Sequence, residues 1–267
     1  MGDVGDEGFG DRIDALDLRL FDAIESQTSP HDKRSLLAVQ RATRRLTGGY
    51  RYLEIGSHLG GSIAPHLVDP CCTAITSIDK RPPSQPDERG VAFAYEGNST
   101  ARMLALLGSV GPTDKVATID AGAPDVDVAA LGPAHQLCFI DGEHTDRAVV
   151  ADFELCLAAV GDAGAIAFHD APITYRGIAA CLERVTDRDP VAYALPDAVF
   201  VVELGGFALH DDPYVADALL HNHRAYLAAL LANDHYREFA NGRPFRLARQ
   251  AKARVRSLGA RGRLGPG

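Results

Sequence analysis

From Tyr50 onward, short apolar runs alternate with amphipathic stretches, the rhythm of strands and crossover helices in a mainly parallel sheet. The runs Tyr50–Ile55, Ala74–Asp79, Lys115–Asp120, His135–Asp141 and Ala165–His169 read as five successive strands. Helices are expected over Gly61–Val68, Ser99–Val110, a stretch whose Val149, Phe153, Leu157 and Val160 share a face, and Ile178–Val185. Two last strands, Val191–Ala194 and Ala198–Leu204, are joined by Leu195-Pro196-Asp197. That link is too short for a helical crossover, so this final pair must be antiparallel. RPPSQPDERG, after the second strand, is polar and proline-rich and reads as an irregular loop able to serve as a mobile lid.

The ends of the chain follow a helical period instead. Residues 1–10 read as disordered. Ile13, Leu16, Leu20, Phe21 and Ile24 fall on one helical face, and Ser29-Pro30 opens a second helix that runs to Leu46 and stops at Thr47-Gly48-Gly49. Beyond Gly206, Val215, Leu219, Tyr226 and Leu230 form another stripe. The expected organisation is a helical cap over 1–49, an α/β domain over 50–206 and a helical extension over 207–267.

Composition narrows the class. With 267 residues, 46% of them apolar, the chain can bury one large core. Its net charge of −9 is unevenly spread. Residues 242–267 hold eight Arg/Lys and no Asp/Glu, leaving 19 basic against 36 acidic residues elsewhere. So acidic a body argues against a nucleic-acid partner, and the tail reads as solvated or as a subunit contact. No run is long and apolar enough for a membrane span, and the acidic start does not resemble a signal peptide. Five cysteines without CxxC spacing suit buried thiols in a reducing cytoplasm. Apolar stripes on the terminal helices leave room for a homodimer.

The chemistry-bearing residues gather at strand ends, where open α/β sheets bind ligands. After the first strand comes Glu54-Ile-Gly56-Ser57-His-Leu-Gly60-Gly61-Ser62. Its glycines let a turn pass close under a ligand, and the helix behind it would offer free N–H groups to a carboxylate. The E-x-G-x-x-x-G-G spacing is not the G-x-G-x-x-G of dinucleotide folds. Asp79 closes the second strand and can accept both hydroxyls of a ribose; Asp120, ending the third, can receive an adenine amino group. His58, inside the loop, either contacts a ligand or has no role. Tyr175 and Arg176 belong to a loop after the fifth strand, within reach of a substrate or merely on the surface.

Residues 50–204 thus resemble a class I S-adenosylmethionine-dependent methyltransferase. The resemblance implies a doubly wound seven-stranded sheet of order 3-2-1-4-5-7-6 with strand 7 reversed, and S-adenosylmethionine as cofactor. The antiparallel final pair fits that order independently.

Asp141 and Asp170 end the fourth and fifth strands. Neighbouring strands lie about 4.8 Å apart, so two carboxylates at their mouths can share one cation, Mg²⁺ or Mn²⁺. His144 follows Asp141 by three and stands beside that site. The set Asp141-x-x-His144 with His169-Asp170 is similar to the metal-dependent sugar O-methyltransferases of macrolide biosynthesis and their cephalosporin-hydroxylase-like relatives. That resemblance implies Asp141 and Asp170 as metal ligands and His144 as base. His169 stands where those enzymes carry an acid. As an imidazole it can bind the metal, Mn²⁺ better than Mg²⁺, sit behind the ligands, or orient substrate.

The function expected is Mg²⁺-dependent O-methylation of a sugar or glycoside hydroxyl, for instance a mannoside in actinobacterial polymethylated polysaccharide synthesis. Catechol-type methylation is the alternative, disfavoured because aromatics that would sandwich a flat phenol are scarce: there is no Trp and FWY is 7%. An RNA-binding protein or RNA methyltransferase led by the basic tail is a third reading, with no aromatic-interleaved basic surface to support it.

Overall fold

The computed structural model of the protein describes residues 7–219, with Leu231, Gly242, Pro244 and Leu247 beyond them. Residues 1–226 form one compact unit and 227–267 another. The elements named below all belong to the first. Tyr226, Leu230 and nearly all of the basic tail lie outside the described residues.

Nine strands are described: β1 (Tyr50–Ile55), β2 (Cys72–Ile78), β3 (Ser84–Pro86), β4 (Ala92–Ala94), β5 (Val116–Ile119), β6 (Leu137–Ile140), β7 (Gly164–Phe168), β8 (Val191–Ala194) and β9 (Phe200–Leu204). Seven make one sheet in the order β5-β2-β1-β6-β7-β9-β8, and β3 pairs only with β4. Without that hairpin the order is 3-2-1-4-5-7-6. β9 runs antiparallel to both β7 and β8, as the short link at 195–197 requires.

The helices are α1 (Glu7–Asp14), α2 (Pro30–Thr47), α3 (Ile63–Val68), α4 (Thr100–Gly108), α5 (Asp146–Val160) and α6 (Tyr175–Glu183). Residues 213–219 are also helical. Central strands are buried on both faces, so alternate residues feed two cores. Tyr52, Phe139 and Ala167 pack with α1, α2, α4 and Val215; Leu53, Ile140 and Phe168 pack with α5 and α6.

The N-terminal helices are tied to this body by buried polar contacts as well. Asp69 accepts hydrogen bonds from Gln40 Nε2 (3.0 Å), Arg44 Nε (2.9 Å) and the Tyr50 hydroxyl (2.9 Å). Arg41 of α2 forks onto Asp212, and both side chains are almost wholly buried.

Three local expectations change. Residues 7–10, expected to be disordered, belong to helix α1, and Phe9 is buried in the first core. The stripe Ile13 to Ile24 is not one helix: Leu16 takes φ 50°, and Asp17 caps a 3-10 turn over Leu18–Phe21. All five apolar residues are nonetheless buried.

The third change bears on the site. RPPSQPDERG contains β3 and the turn of a hairpin. Gly90, at φ 77°, closes that turn while Asp87 N–H donates to Val91 O. Proline is tolerated because this two-stranded ribbon has only edges.

Gly177 marks the closest approach of α6 to α5: a Cβ there would lie 2.6 Å from Asp146 O. Gly177→Ala is expected to destabilise the protein by about 1–3 kcal/mol through forced separation of the helices, read as a lower urea midpoint at unchanged slope.

Candidate active site

The loop after β1 is shaped by a close approach. Gly56 has φ 91°, and a Cβ on it would fall 2.1 Å from Asp141 O, so only glycine lets the loop cross the mouth of β6. The crossing brings Gly56 against Asp141 and Gly142 and joins the two halves of the site.

Beyond Gly56 the loop is stiff. Gly60 N–H closes a tight turn onto Ser57 O at 2.7 Å, and α3 starts at Ile63, two residues later than its sequence pattern indicates. Gly60 faces Met103 and Leu107 rather than the cleft, while Gly61 packs on Ser26. α3 has six residues. It offers less of an N-terminus than expected.

Glu54 lies beneath the loop, wholly buried, accepting hydrogen bonds from Tyr52 OH and from Ser62 Oγ (2.7 Å). It braces the loop from below and is not among the residues lining the cleft. Burial pushes its carboxyl up to about 7, against the pull of those hydrogen bonds.

Asp79 reaches the cleft and holds two backbone groups, His58 N–H on Oδ2 (2.9 Å) and Arg81 N–H on Oδ1 (2.7 Å). Oδ2 also lies 3.2 Å from Arg81 Nη1, so Oδ1 is the oxygen that keeps a further lone pair for a ligand. Asp120 does not line the cleft. Its side chain is half exposed and accepts from Thr100 Oγ1, while Ala121 and Gly122 behind it form the wall.

Two chambers open from this loop and share Gly56, Asp79, Gln85 and Gly142. One, of about 330 Å³, lies beyond β2 and β5 and is walled by 121–124, Lys80, Glu143 and Asp152. The other is lined by Ser57, His58, Asp141, His144 and His169, together with Ser26, Gln27 and Thr28 from the segment before α2.

In the second chamber the strand-end acids converge. Donor atoms of Asp141, His144 and Asp170 all lie within 4.8 Å of one another. His144 Nε2 is 3.1 Å from Asp170 Oδ2 and 3.9 Å from Asp141 Oδ1. His169 Nδ1 is 3.1 Å from an oxygen of each acid, and its Nε2 lies 3.4 Å from Asp32 Oδ2. Burial opposes charge on the His169 ring, but Asp141, Asp170 and Asp32 outweigh it and raise its pKa well above the usual range.

Backbone strain gathers here too. Asp170, His58 and Arg81 adopt φ of 51°, 43° and 50°, conformations that persist only where the surroundings enforce them.

Both histidines and both acids thus meet. Tyr175 and Arg176 do not join them; they form the first turn of α6 rather than a loop, with the guanidinium over the Tyr175 ring. Asp32 and Asp87 were not legible as site residues. The first resembled a helix N-terminal acid and the second a loop acid.

Residues 53–171 match a family model described as a methyltransferase domain. The matched segment runs from β1 to the turn after β7, a little under half of the chain. Among proteins of curated function, none matches the chain. Among solved structures, an O-methyltransferase from Bacillus cereus in complex with S-adenosylhomocysteine is 14% identical, with 75% of this chain and 92% of that one covered, at a TM-score of 0.50. The calicheamicin methyltransferase CalS11 is 16% identical over 77% of this chain and 99% of its own (TM-score 0.49). TomG from Streptomyces achromogenes is 15% identical over 75% and 91% (TM-score 0.49). At these identities the likeness is one of fold, the seven-stranded class I methyltransferase sheet with its reversed strand.

Glu54 makes stability depend on pH. Its folded pKa lies above its ordinary 4.5, so the stabilisation it gives when protonated is lost as pH rises toward and through about 7. Between pH 5 and pH 8, Glu54→Gln is expected to gain about 3 kcal/mol relative to the parent, read from urea midpoints.

Proposed function

We propose that this methyltransferase transfers the methyl group of S-adenosylmethionine to a hydroxyl of a sugar or glycoside, with a divalent cation at the strand-end acids. The observation that carries the reading is the convergence of Asp141, Asp170, His144 and His169 beside the Gly56 loop. Two carboxylates and an imidazole are a hard, oxygen-rich donor set that suits Mg²⁺ or Mn²⁺.

Either imidazole can complete the donor set. We assign His169 to the cation and His144 to the proton. His169 is the more buried, and its second nitrogen lies 3.4 Å from Asp32 Oδ2 without a hydrogen bond, close enough for that acid to orient the ring. His144 sits on the turn between β6 and α5 and lines the cleft. A bound Mg²⁺ would lower the pKa of the acceptor hydroxyl and favour its alkoxide.

The residues of the chain then act as follows. Asp79 and the Gly56 loop hold the donor, whose adenosyl half fits the chamber walled by 121–124. His144 Nε2 takes the hydroxyl proton. The oxygen forms its bond to the methyl carbon as the carbon–sulfur bond breaks, and that electron pair stays on sulfur. The products are a methyl ether and S-adenosylhomocysteine, with the proton on His144 until solvent removes it.

A polyhydroxylated acceptor suits the chamber, because Ser26, Gln27, Thr28, Gln85 and Asn98 offer many hydrogen-bonding groups, and Tyr95 is the one carbocyclic aromatic among its lining residues. That favours a sugar over a catechol.

A panel of sugar acceptors with labelled S-adenosylmethionine tests the reading. EDTA is expected to abolish turnover and Mg²⁺ to restore it; turnover indifferent to chelation removes the cation from the scheme. His144→Ala is expected to lower kcat by about 10²–10⁴-fold with Mn²⁺ and S-adenosylmethionine affinities retained. His169→Ala is expected to weaken Mn²⁺ binding, measured by calorimetry. The opposite pattern would exchange their roles.

A further inference from the structure

The buried face of α5 carries one acid. Val149, Phe153, Cys156 and Val160 pack into the second core, and Asp152 stands on the same stripe, only 7% exposed. Among the described residues none donates a hydrogen bond to its carboxyl. The cation that acts on it, Lys80, is held by Glu143. Burial pushes the Asp152 carboxyl up to about 7, against the pull of Lys80. A buried acid without a partner costs stability, so its presence on an otherwise apolar stripe asks for a ligand.

The surroundings of the carboxyl say what that ligand is like. Asp152 lines the chamber of about 330 Å³ and not its neighbour. A Cβ on Gly142 would fall 3.0 Å from Asp152 Oδ2, so the glycine keeps the space beside that oxygen open. Ile55, Ala121, Ala123, Pro124, Ala148 and Ala151 give the chamber small or apolar walls. An apolar slot with a buried acceptor suits a flat heteroaromatic ring that bears an N–H donor on its edge. Adenine is such a ring, with its exocyclic amino group on the edge away from the ribose.

We propose that Asp152 accepts a hydrogen bond from the exocyclic amino group of adenine and so selects an adenosyl cofactor. The proposal rests on the reading of this chamber as the adenosyl site and names the residue that recognises the base there. Asp120, expected in that role from its place at a strand end, is half exposed and engaged by Thr100. A carboxyl group keeps an oxygen able to accept whether it is ionised or protonated, so the contact does not depend on its charge. The amino group satisfies an oxygen that the fold itself leaves unpaired.

Calorimetry on the full chain compares S-adenosylhomocysteine with its purine analogue, which carries hydrogen in place of the 6-amino group. The parent is expected to bind the analogue at least about tenfold more weakly. In Asp152→Ala the two affinities are expected to agree within about twofold, chiefly through weaker binding of S-adenosylhomocysteine. Equal affinities in the parent overturn the proposal. So does a full preference kept in Asp152→Ala, the result expected of a merely structural acid, whose loss would weaken both ligands alike. Should Asp152→Ala not fold, Asp152→Val, which keeps the shape and removes the acceptor, decides by the same ratio. If the parent binds neither ligand, the adenosyl reading of the chamber falls and the proposal with it. If it binds both equally, that reading stands and only the role of Asp152 falls.

Discussion

Four carboxylates, those of Asp32, Asp87, Asp141 and Asp170, converge on two imidazole rings at the mouths of β6 and β7. Like charges gathered in a partly buried place repel strongly, so such a group persists only with compensating positive charge close by. Arg89 supplies part of it at Asp87, and the ring of His169 supplies another part between Asp141, Asp170 and Asp32. A divalent cation bound by His169 would displace that ring's proton and take over its share. Around the group stand the left-handed turn at Asp170, the hairpin bound to the β6–α5 turn, and the N-terminal end of α2 beside His169.

The two histidines have parallel settings. Each has one nitrogen toward the strand-end acid pair and the other toward a buried acid from an accessory element, α2 for His169 and the β3–β4 hairpin for His144. The sheet thus supplies the centre of the site, and segments outside the sheet supply its orientation. The Ser29 cap links these tasks, since its hydroxyl, with one proton to donate, lies 2.8 Å from Asp32 Oδ2 and 2.6 Å from Asp197 Oδ2 in the β8–β9 turn.

Much of the sheet was legible because period and length were unambiguous. Strands buried on both faces appear as apolar runs, and a three-residue link can only reverse the chain. The strand-end acids were legible for the same reason, since a strand's end fixes where its last side chain emerges. What was not legible depends on contacts distant in sequence. Asp32 sits 137 positions before His169, and nothing in the helix pattern around it reports that the helix starts at the acid cluster. RPPSQPDERG concealed a hairpin because its order comes from docking on residues 144–146 rather than from its own propensities. Asp120 and Glu54 occupy the expected backbone positions, but their side chains were claimed by Thr100 and by Tyr52 with Ser62.

The wall of Gly56, Asp79, Gln85 and Gly142 between the two chambers has a kinetic consequence under the proposed reading. Donor and acceptor would approach this partition from opposite sides and meet only where the methyl group passes. Neither would then lie across the other's exit, so the architecture itself imposes no obligatory sequence of binding or departure.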